Sequence, residues 1–274
     1  MRNLFWLYFI AALGTANAAE RWFVIQLDGE PAGFEHMTIE NLDGDRVRTT
    51  KEMTIVIHRF GTRFETNVKT TTTENLSGAL ISVRQEVARP DQTVTTEAEI
   101  QGDAMQVRTT AGTISDTRSI SLSAPLCGPV YFTRITREQL QMPGDAVTCR
   151  LYEPTSGPFR STRTLLGEEF VNGQKLLRVK MTTGDRQTGP VWLFDSEGNV
   201  FQSEQQIAGV KTVTRATDRE TALKAAGGRE AAENRILESL PAIRALISNA
   251  SRCDAYDRAY NMVLAGTWTR GSIR

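Results

Sequence analysis

Between residues 21 and 216 the chain turns back on itself again and again. The turns fall at Asp28-Gly29, Asp43-Gly44, Phe60-Gly61, Ser77-Gly78, Gly102-Asp103, Ala111-Gly112, Asn172-Gly173 and Gly198-Asn199. Each dipeptide can supply the positive φ that a tight hairpin turn needs. Those runs alternate β-branched with polar residues, and Thr is abundant throughout. Period-two patterning joined by hairpin turns predicts an antiparallel meander. In the segment 47–57, Val47, Thr49, Lys51, Met53, Ile55 and Ile57 share one face, and Arg48, Thr50, Glu52, Thr54 and Val56 share the other. That is the pattern of a sheet with one wetter side. Val94, Thr96, Ala98 and Ile100 fall together in the same way, as do Met105, Val107 and Thr109.

One interruption divides the strands. Ala124-Pro125-Leu126-Cys127-Gly128-Pro129 leads into a segment, 129–141, in which Val130, Ile135 and Leu140 recur at near-helical spacing before Met142-Pro143-Gly144. Pro129 suits a first helical turn and Pro143-Gly144 stops one, so a short linking helix is expected there. Strands resume around 146–153, 160–170, 174–182, 190–195, 199–206 and 209–216. From residue 217 the period changes: Thr217-Asp218-Arg219-Glu220 reads as a capping box, and Ile236, Leu237, Leu240, Ile243, Leu246 and Ile247 form an apolar stripe. The expected fold class is mainly β, a curved antiparallel sheet resembling a half-barrel, with two strand groups around a short helix and a helical C-terminal appendage at 217–274.

The N-terminus carries an address. Arg2 precedes an apolar run, 4–13, followed by Gly14-Thr15-Ala16-Asn17-Ala18. The run is short for a membrane span, and Ala16 and Ala18 are small enough for signal peptidase, so 1–18 reads as a signal peptide cleaved after Ala18. Residue 19 is Ala, which offers no thiol for a lipid, and no later segment is apolar enough to cross a bilayer. The expected location is periplasmic or secreted, with a β domain over 19–216. Composition narrows the partners: 32 basic residues balance 32 acidic ones, and a pI near 6.8 argues against a nucleic-acid coat or an anionic membrane binder.

Catalytic equipment is thin. His36 and His58 are the two imidazoles in the chain, each on a strand near an acid, with no third ligand at a diagnostic spacing for a metal. Glu168 and Glu169 are adjacent on a strand and so point to opposite faces, and Asp195 and Glu197 beside Gly198 are what a solvated turn uses. No G-x-S-x-G, phosphate loop or C-x-x-C occurs, so no catalytic residue, metal or cofactor is expected. Of the three thiols, Cys127 and Cys149 bracket the linking helix. Either they are bridged, with Cys253 free, or all three are buried apolar groups. Trp22, Phe23, Tyr131, Phe132, Trp192 and Phe194 are expected to fill the core of a curved sheet.

Trp22, Leu27-Asp28-Gly29-Glu30, Gly33-Phe34-Glu35-His36 and Thr38-Ile39-Glu40 resemble the opening of the β-rich N-terminal region of secreted bacterial transglutaminase-like proteins. Gly128-Pro129, Met142-Pro143-Gly144-Asp145, the strands flanking Asn172-Gly173, Trp192 with Asp195 to Gly198, and Glu220-Thr221-Ala222 follow in the order that region shows, over residues 21–223. The layout is also similar to the half-barrel of lipoprotein-carrier proteins. The catalytic domain of the transglutaminase-like family would bring a Cys, a His and an Asp after this region, whereas here Cys253 is followed by no His. The resemblance therefore implies an exported, non-catalytic binding or scaffold module with an unknown exported protein as partner. The alternatives are a periplasmic carrier of an apolar ligand or lipid, or a hydrolase with an unrecognised site. A plugged concave face would bury Tyr131, Phe132, Ile135 and Leu140, whereas a carrier would present the same four side chains to its ligand.

Overall fold

The computed structural model describes residues 19–59, 62–184, 189–207 and 210–226. Residues 1–18, read above as a signal peptide, Phe60-Gly61, read as a turn, and the chain from 227 onward, with Cys253 and the expected apolar stripe of 236–247, lie outside the described residues. Eight strands come first: β1 (Ala19–Leu27), β2 (Glu30–Leu42), β3 (Arg46–Arg59), β4 (Thr62–Asn75), β5 (Leu80–Ala88), β6 (Thr93–Gln101), β7 (Ala104–Ala111) and β8 (Ile114–Ser121). Helix α1 (Pro129–Gln139) follows. The second run is β9 (Ala146–Glu153), β10 (Gly157–Val171), β11 (Gln174–Thr183), β12 (Val191–Phe194), β13 (Val200–Ile207) and β14 (Val210–Thr217), and α2 (Arg219–Ala225) closes the described chain.

All fourteen strands belong to one antiparallel sheet in the order β8-β7-β6-β5-β4-β3-β2-β1-β14-β13-β12-β11-β10-β9. The chain thus makes two meanders, β1 to β8 and β9 to β14, and joins them where β1 pairs with β14, from Trp22↔Thr217 to Leu27↔Thr212. The hairpins follow from the turn residues: Asp28, Gly29, Gly44, Asp45, Gly102, Gly112, Asn172, Gly173 and Gly198 all take positive φ. Helix α1 starts at Pro129 and ends at Gln139 rather than 141, with Leu140 as its C-cap. At α2 the cap is Asp218, not Thr217, because the Asp218 carboxylate accepts from Thr221 N at 2.8 Å.

Register shows how the sheet bends. Val47, Thr49 and Lys51 of β3 sit opposite Glu74, Thr72 and Thr70 of β4, so these residues share a face. On β9, Val147, Cys149 and Leu151 pack in one apolar cluster with Phe132 and Ile135 of α1. The Glu74 carboxylate accepts from Val130 N at 2.9 Å and Tyr131 N at 2.8 Å at the N-terminus of the same helix. An eleven-residue helix is about 16 Å long, whereas β4 and β9 stand nine places apart in the sheet, roughly 43 Å if it were flat. The sheet must therefore curl with this face inward.

It does not close into a barrel, since β8 and β9 are not paired. The segment 122–128 stands at the seam instead: Leu80 N donates to Leu126 O at 2.8 Å, Cys127 N donates to Arg150 O at 2.7 Å, and Ala79 and Cys127 form a single bridge. Beyond the seam β6 to β8 run on past β9. A second cluster, with Leu80, Val83, Ala98, Met105, Val107 and Leu126, takes Tyr152 of β9 against it. Tyr152 has the opposite phase to Cys149 and Leu151, so the inner face of β6 to β8 covers the outer face of β9. The sheet coils like a scroll, one end overlapping the other.

The alternation in 47–57 is only half a guide. Val47 and Thr49 are buried, but so is Val56 from the other phase, and Lys51 is exposed on the inner one. Both faces of a coiled sheet carry cover somewhere along a fourteen-residue strand.

Candidate functional site

The inside of the scroll divides into an apolar half and a polar half. Helix α1 fills the first. Phe132, Ile135 and Leu140 are buried at 2%, 6% and 2% exposure among Val147, Cys149, Leu165, Val179 and Phe194, with Tyr131, Leu177 and Trp192 at the margin. Of the four candidate contact residues, three are core, and Tyr131 is half-buried over Gly78, where a Cβ would stand 2.1 Å from its ring. Gly128 is likewise forced, because its missing Cβ leaves room for the Glu74 carboxylate that caps the helix.

A guanidinium lies in this apolar half. Arg163 sits over the Phe132 ring at 3.7 Å and the Phe194 ring at 4.9 Å, and donates to Thr136 Oγ1 at 2.6 Å and Phe132 O at 3.2 Å. Burial pushes its pKa down to about 9, which still leaves it charged at neutral pH. Thr136 in turn donates to Phe132 O at 2.6 Å, so the middle of α1 is tied to β10 by a small polar network inside an aromatic shell. The sequence reading did not single out Arg163. Its phase was legible, however, because it falls in step with Ser161 and Leu165, which are also buried.

The polar half is built from β2 to β5 and the end of β9. Lys51 Nζ lies 2.8 Å from Glu35 Oε2, and Glu153 lies among Lys51, Gln85 and Thr155. Burial raises the Glu153 pKa and Lys51 pulls part of that back. The Lys51 side chain keeps 48% exposure, and the loss of water around its ammonium acts downward, but Glu35 and Glu153 outweigh it and hold the ammonium above its ordinary value. Glu74, 2% exposed, is raised by burial against the opposing pull of the two helix amides.

The seam is covalent. Cys127 and Cys149 are joined, with Cα atoms 5.8 Å apart, so the segment that pairs with β5 is tethered to β9. Of the two histidines, His58 is described only as backbone. His36 faces outward, stacked on Trp22 at 4.0 Å, with Nε2 2.8 Å from Glu20 Oε1 and Nδ1 3.8 Å from Glu52 Oε2. The nearer contact is not aligned for a hydrogen bond, and among the described residues Nε2 has no such partner. Trp22 therefore belongs to the outer surface beside α2, under Arg219, and not to the core. Glu168 and Glu169 pair separately with Lys175 at 2.6 Å and Arg178 at 3.3 Å. Asp195 caps its own turn through Glu197 N and Asn199 N while meeting Arg21 at 3.2 Å. An open groove of about 440 Å³ on β4 to β8 is lined by polar residues such as Arg84, Glu97 and Arg108 together with Val83, Ala98 and Val107. Among the described residues no group of His, Cys, Asp and Glu is arranged to hold a metal ion, and no helix is long and apolar enough to cross a membrane.

No protein-family model matches the sequence, and no curated protein matches it. Among solved structures the chain is similar to a β-barrel-like protein of Domain of Unknown Function DUF1849 from Brucella abortus. The two share 10% identity over 73% of this chain and 96% of that one, with a TM-score of 0.55. A DUF1089 family protein from Pseudomonas aeruginosa aligns over 63% of this chain and 89% of its own at 13% identity, with a TM-score of 0.38. The first likeness is one of fold: a mainly β, barrel-like architecture built on a single large antiparallel sheet.

Proposed function

We propose that the protein is an exported, non-catalytic binding or scaffold module that meets a protein partner on its outer surface. The observation that carries this reading is the filling of the apolar half of the scroll by the protein's own helix. A carrier needs an apolar cavity for its ligand, and here Phe132, Ile135 and Leu140 occupy that place. The other half presents Lys51, Glu35 and Glu153, which an acyl chain would have to strip of water. The resemblance of residues 21–223 to the N-terminal region of transglutaminase-like proteins supports the same reading, since that region stands apart from its catalytic domain. Export rests on the 1–18 segment.

Native mass spectrometry and thermal melts with added fatty acids test it. The expected result is no retained adduct and no shift. A melting temperature that climbs with the logarithm of fatty-acid concentration would replace the scaffold with a carrier. Intact mass of the exported chain is expected to begin at Ala19, and a membrane-held species that keeps Met1 would remove the address.

A further inference from the structure

The two ends of the sheet differ. At β9 the free side is engaged by Cys127, whereas β8 follows β7 and, among the described residues, no strand follows it in the sheet order. Seven of the eight β8 residues are exposed, and Ile114, at 74%, is the most exposed of the large apolar side chains described. The strand reads Ile114-Ser115-Asp116-Thr117-Arg118-Ser119-Ile120. About Thr117 that sequence is its own complement: Ile meets Ile, Ser meets Ser, and Asp116 meets Arg118.

We propose that β8 pairs antiparallel with β8 of a second copy of this chain, about a two-fold axis at Thr117. Asp116 and Arg118 then form two reciprocal ion pairs across the axis. The inference is independent of the scaffold reading above.

The backbone has the right parity. Leu122 N donates to Asp103 O at 2.7 Å, and the β7–β8 register runs without a shift from Ala104↔Ser121 to Ala111↔Ile114. In an antiparallel ladder the hydrogen-bonded pairs recur at every second residue, so the even-numbered β8 residues turn their backbone groups to β7. Ser115, Thr117 and Ser119 therefore aim theirs at the open edge. In the two-fold register Thr117 faces Thr117 of the second copy and Ser115 faces Ser119, each as a hydrogen-bonded pair. Asp116 and Arg118 then face each other as a non-hydrogen-bonded pair, the kind in which side chains approach most closely.

Charged residues on an edge strand ordinarily discourage pairing. Here they select among pairings. Because outward backbone groups must meet outward ones, the register can slip only so that the pairing sum changes by two. A slip one way puts Asp116 opposite Asp116, and a slip the other way puts Arg118 opposite Arg118. Only the register centred on Thr117 sets opposite charges together, twice, flanked by Ile114 against Ile120. The hydroxyls of Ser115 and Ser119 lie on the other face, where they already accept from Arg108 Nε at 3.2 Å and Gln106 Nε2 at 3.0 Å. Arg118 is exposed beside Tyr152 and meets no carboxylate of its own chain among the ion pairs described. A one-strand interface falls in the small, transient size class, so the dimer is one that dissociates on dilution.

Sedimentation velocity of the full chain over a concentration series reads the outcome. The expected result is a mass that moves from one chain to two. Asp116→Arg and Arg118→Asp should each remain monomeric, because each faces its own charge across the axis. An equimolar mixture of the two should dimerise, since every pair is then complementary. Thr117→Pro removes an outward N–H that β7 does not use, and should give a folded monomer by circular dichroism. Wild-type protein that stays monomeric at every concentration overturns the proposal. So does a dimer that survives Asp116→Arg, or a mixture that fails to associate. A monomer whose Ser115, Thr117 and Ser119 amides resist hydrogen exchange would place another segment on the edge and overturn it as well.

Discussion

The two meanders solve the same problem with different material. In β9 to β14 the inner face is apolar and needs a helix to cover it, so Leu165, Val179 and Phe194 close around Phe132. In β2 to β5 the inner face carries Lys51, Thr70 and Gln85, which are held by polar contacts: Lys51 Nζ lies 2.8 Å from Glu35 Oε2, and Gln85 Nε2 donates to Thr70 Oγ1 at 3.3 Å. Curling a sheet brings its inner residues together from many strands. They must then either exclude water completely or remain polar enough to tolerate it. One chain shows both solutions side by side, with Glu74 on the border: its carboxylate belongs to the polar meander and its hydrogen-bond donors to the helix of the apolar one.

The contrast predicts a graded set of stabilities in urea unfolding. The largest loss is expected for Phe132→Ala, about 3–5 kcal/mol, since it opens a cavity in a dry core and strips Arg163 of an aromatic face. A loss below about 1 kcal/mol would mean that this half is as wet as the other. Next comes the seam. Replacing Cys127 and Cys149 by Ala together releases a link between residues 22 apart and should cost about 3 kcal/mol. An unchanged midpoint would show that the 122–128 segment holds the seam without it.

Glu74→Gln comes third, at about 1 kcal/mol, because an amide replaces a carboxylate that accepts two helix amides with one oxygen able to do so. It has a pH signature. The folded-state pKa of Glu74 is raised above the ordinary 4.5, so the folded protein binds this proton more readily than the unfolded chain does. Wild-type stability should therefore rise relative to Glu74→Gln as pH falls through the folded pKa toward 4.5, and flatten below it. Parallel pH profiles for the two proteins would contradict the burial of this group. The smallest effect is expected on the outside: Lys175→Ala removes an exposed partner of Glu168 and should change stability by less than about 0.5 kcal/mol.

Much of this architecture was open to reading in the sequence, and for a local reason. Hairpin turns are chemical events of two or three residues, and Asp28-Gly29 or Asn172-Gly173 announces itself without knowledge of the rest of the chain. The linking helix was legible for the same reason, from Pro129 to its stop. What the sequence did not disclose is anything set by distant strands. Glu74 looks like the tail of a polar strand until α1 arrives from 56 residues away to be capped by it. Lys51 in an otherwise apolar phase marks an inner polar patch only once Glu35 and Glu153 are set around it. His36 invited a metal or acid–base reading through its acidic neighbours, yet its ring is stacked on Trp22 on the outer face. Among the candidate contact residues, Ile135 and Leu140 stand out by their near-helical spacing and Phe132 as an aromatic of the linking helix, but whether they face a ligand or a core depends on how far the sheet curls.

The junction of β1 with β14 carries a consequence for how the molecule comes into being. Trp22 to Leu27 must wait for residues 212–217 before one whole side of their strand is satisfied. Every other neighbour in the sheet is also a neighbour in sequence, so each meander can zip from hairpin to hairpin as soon as it is made. Assembly therefore ends with the earliest-made strand receiving the last. Until then β1 and β14 both offer unpaired edges, and that interval is when the chain is most open to pairing with the wrong partner.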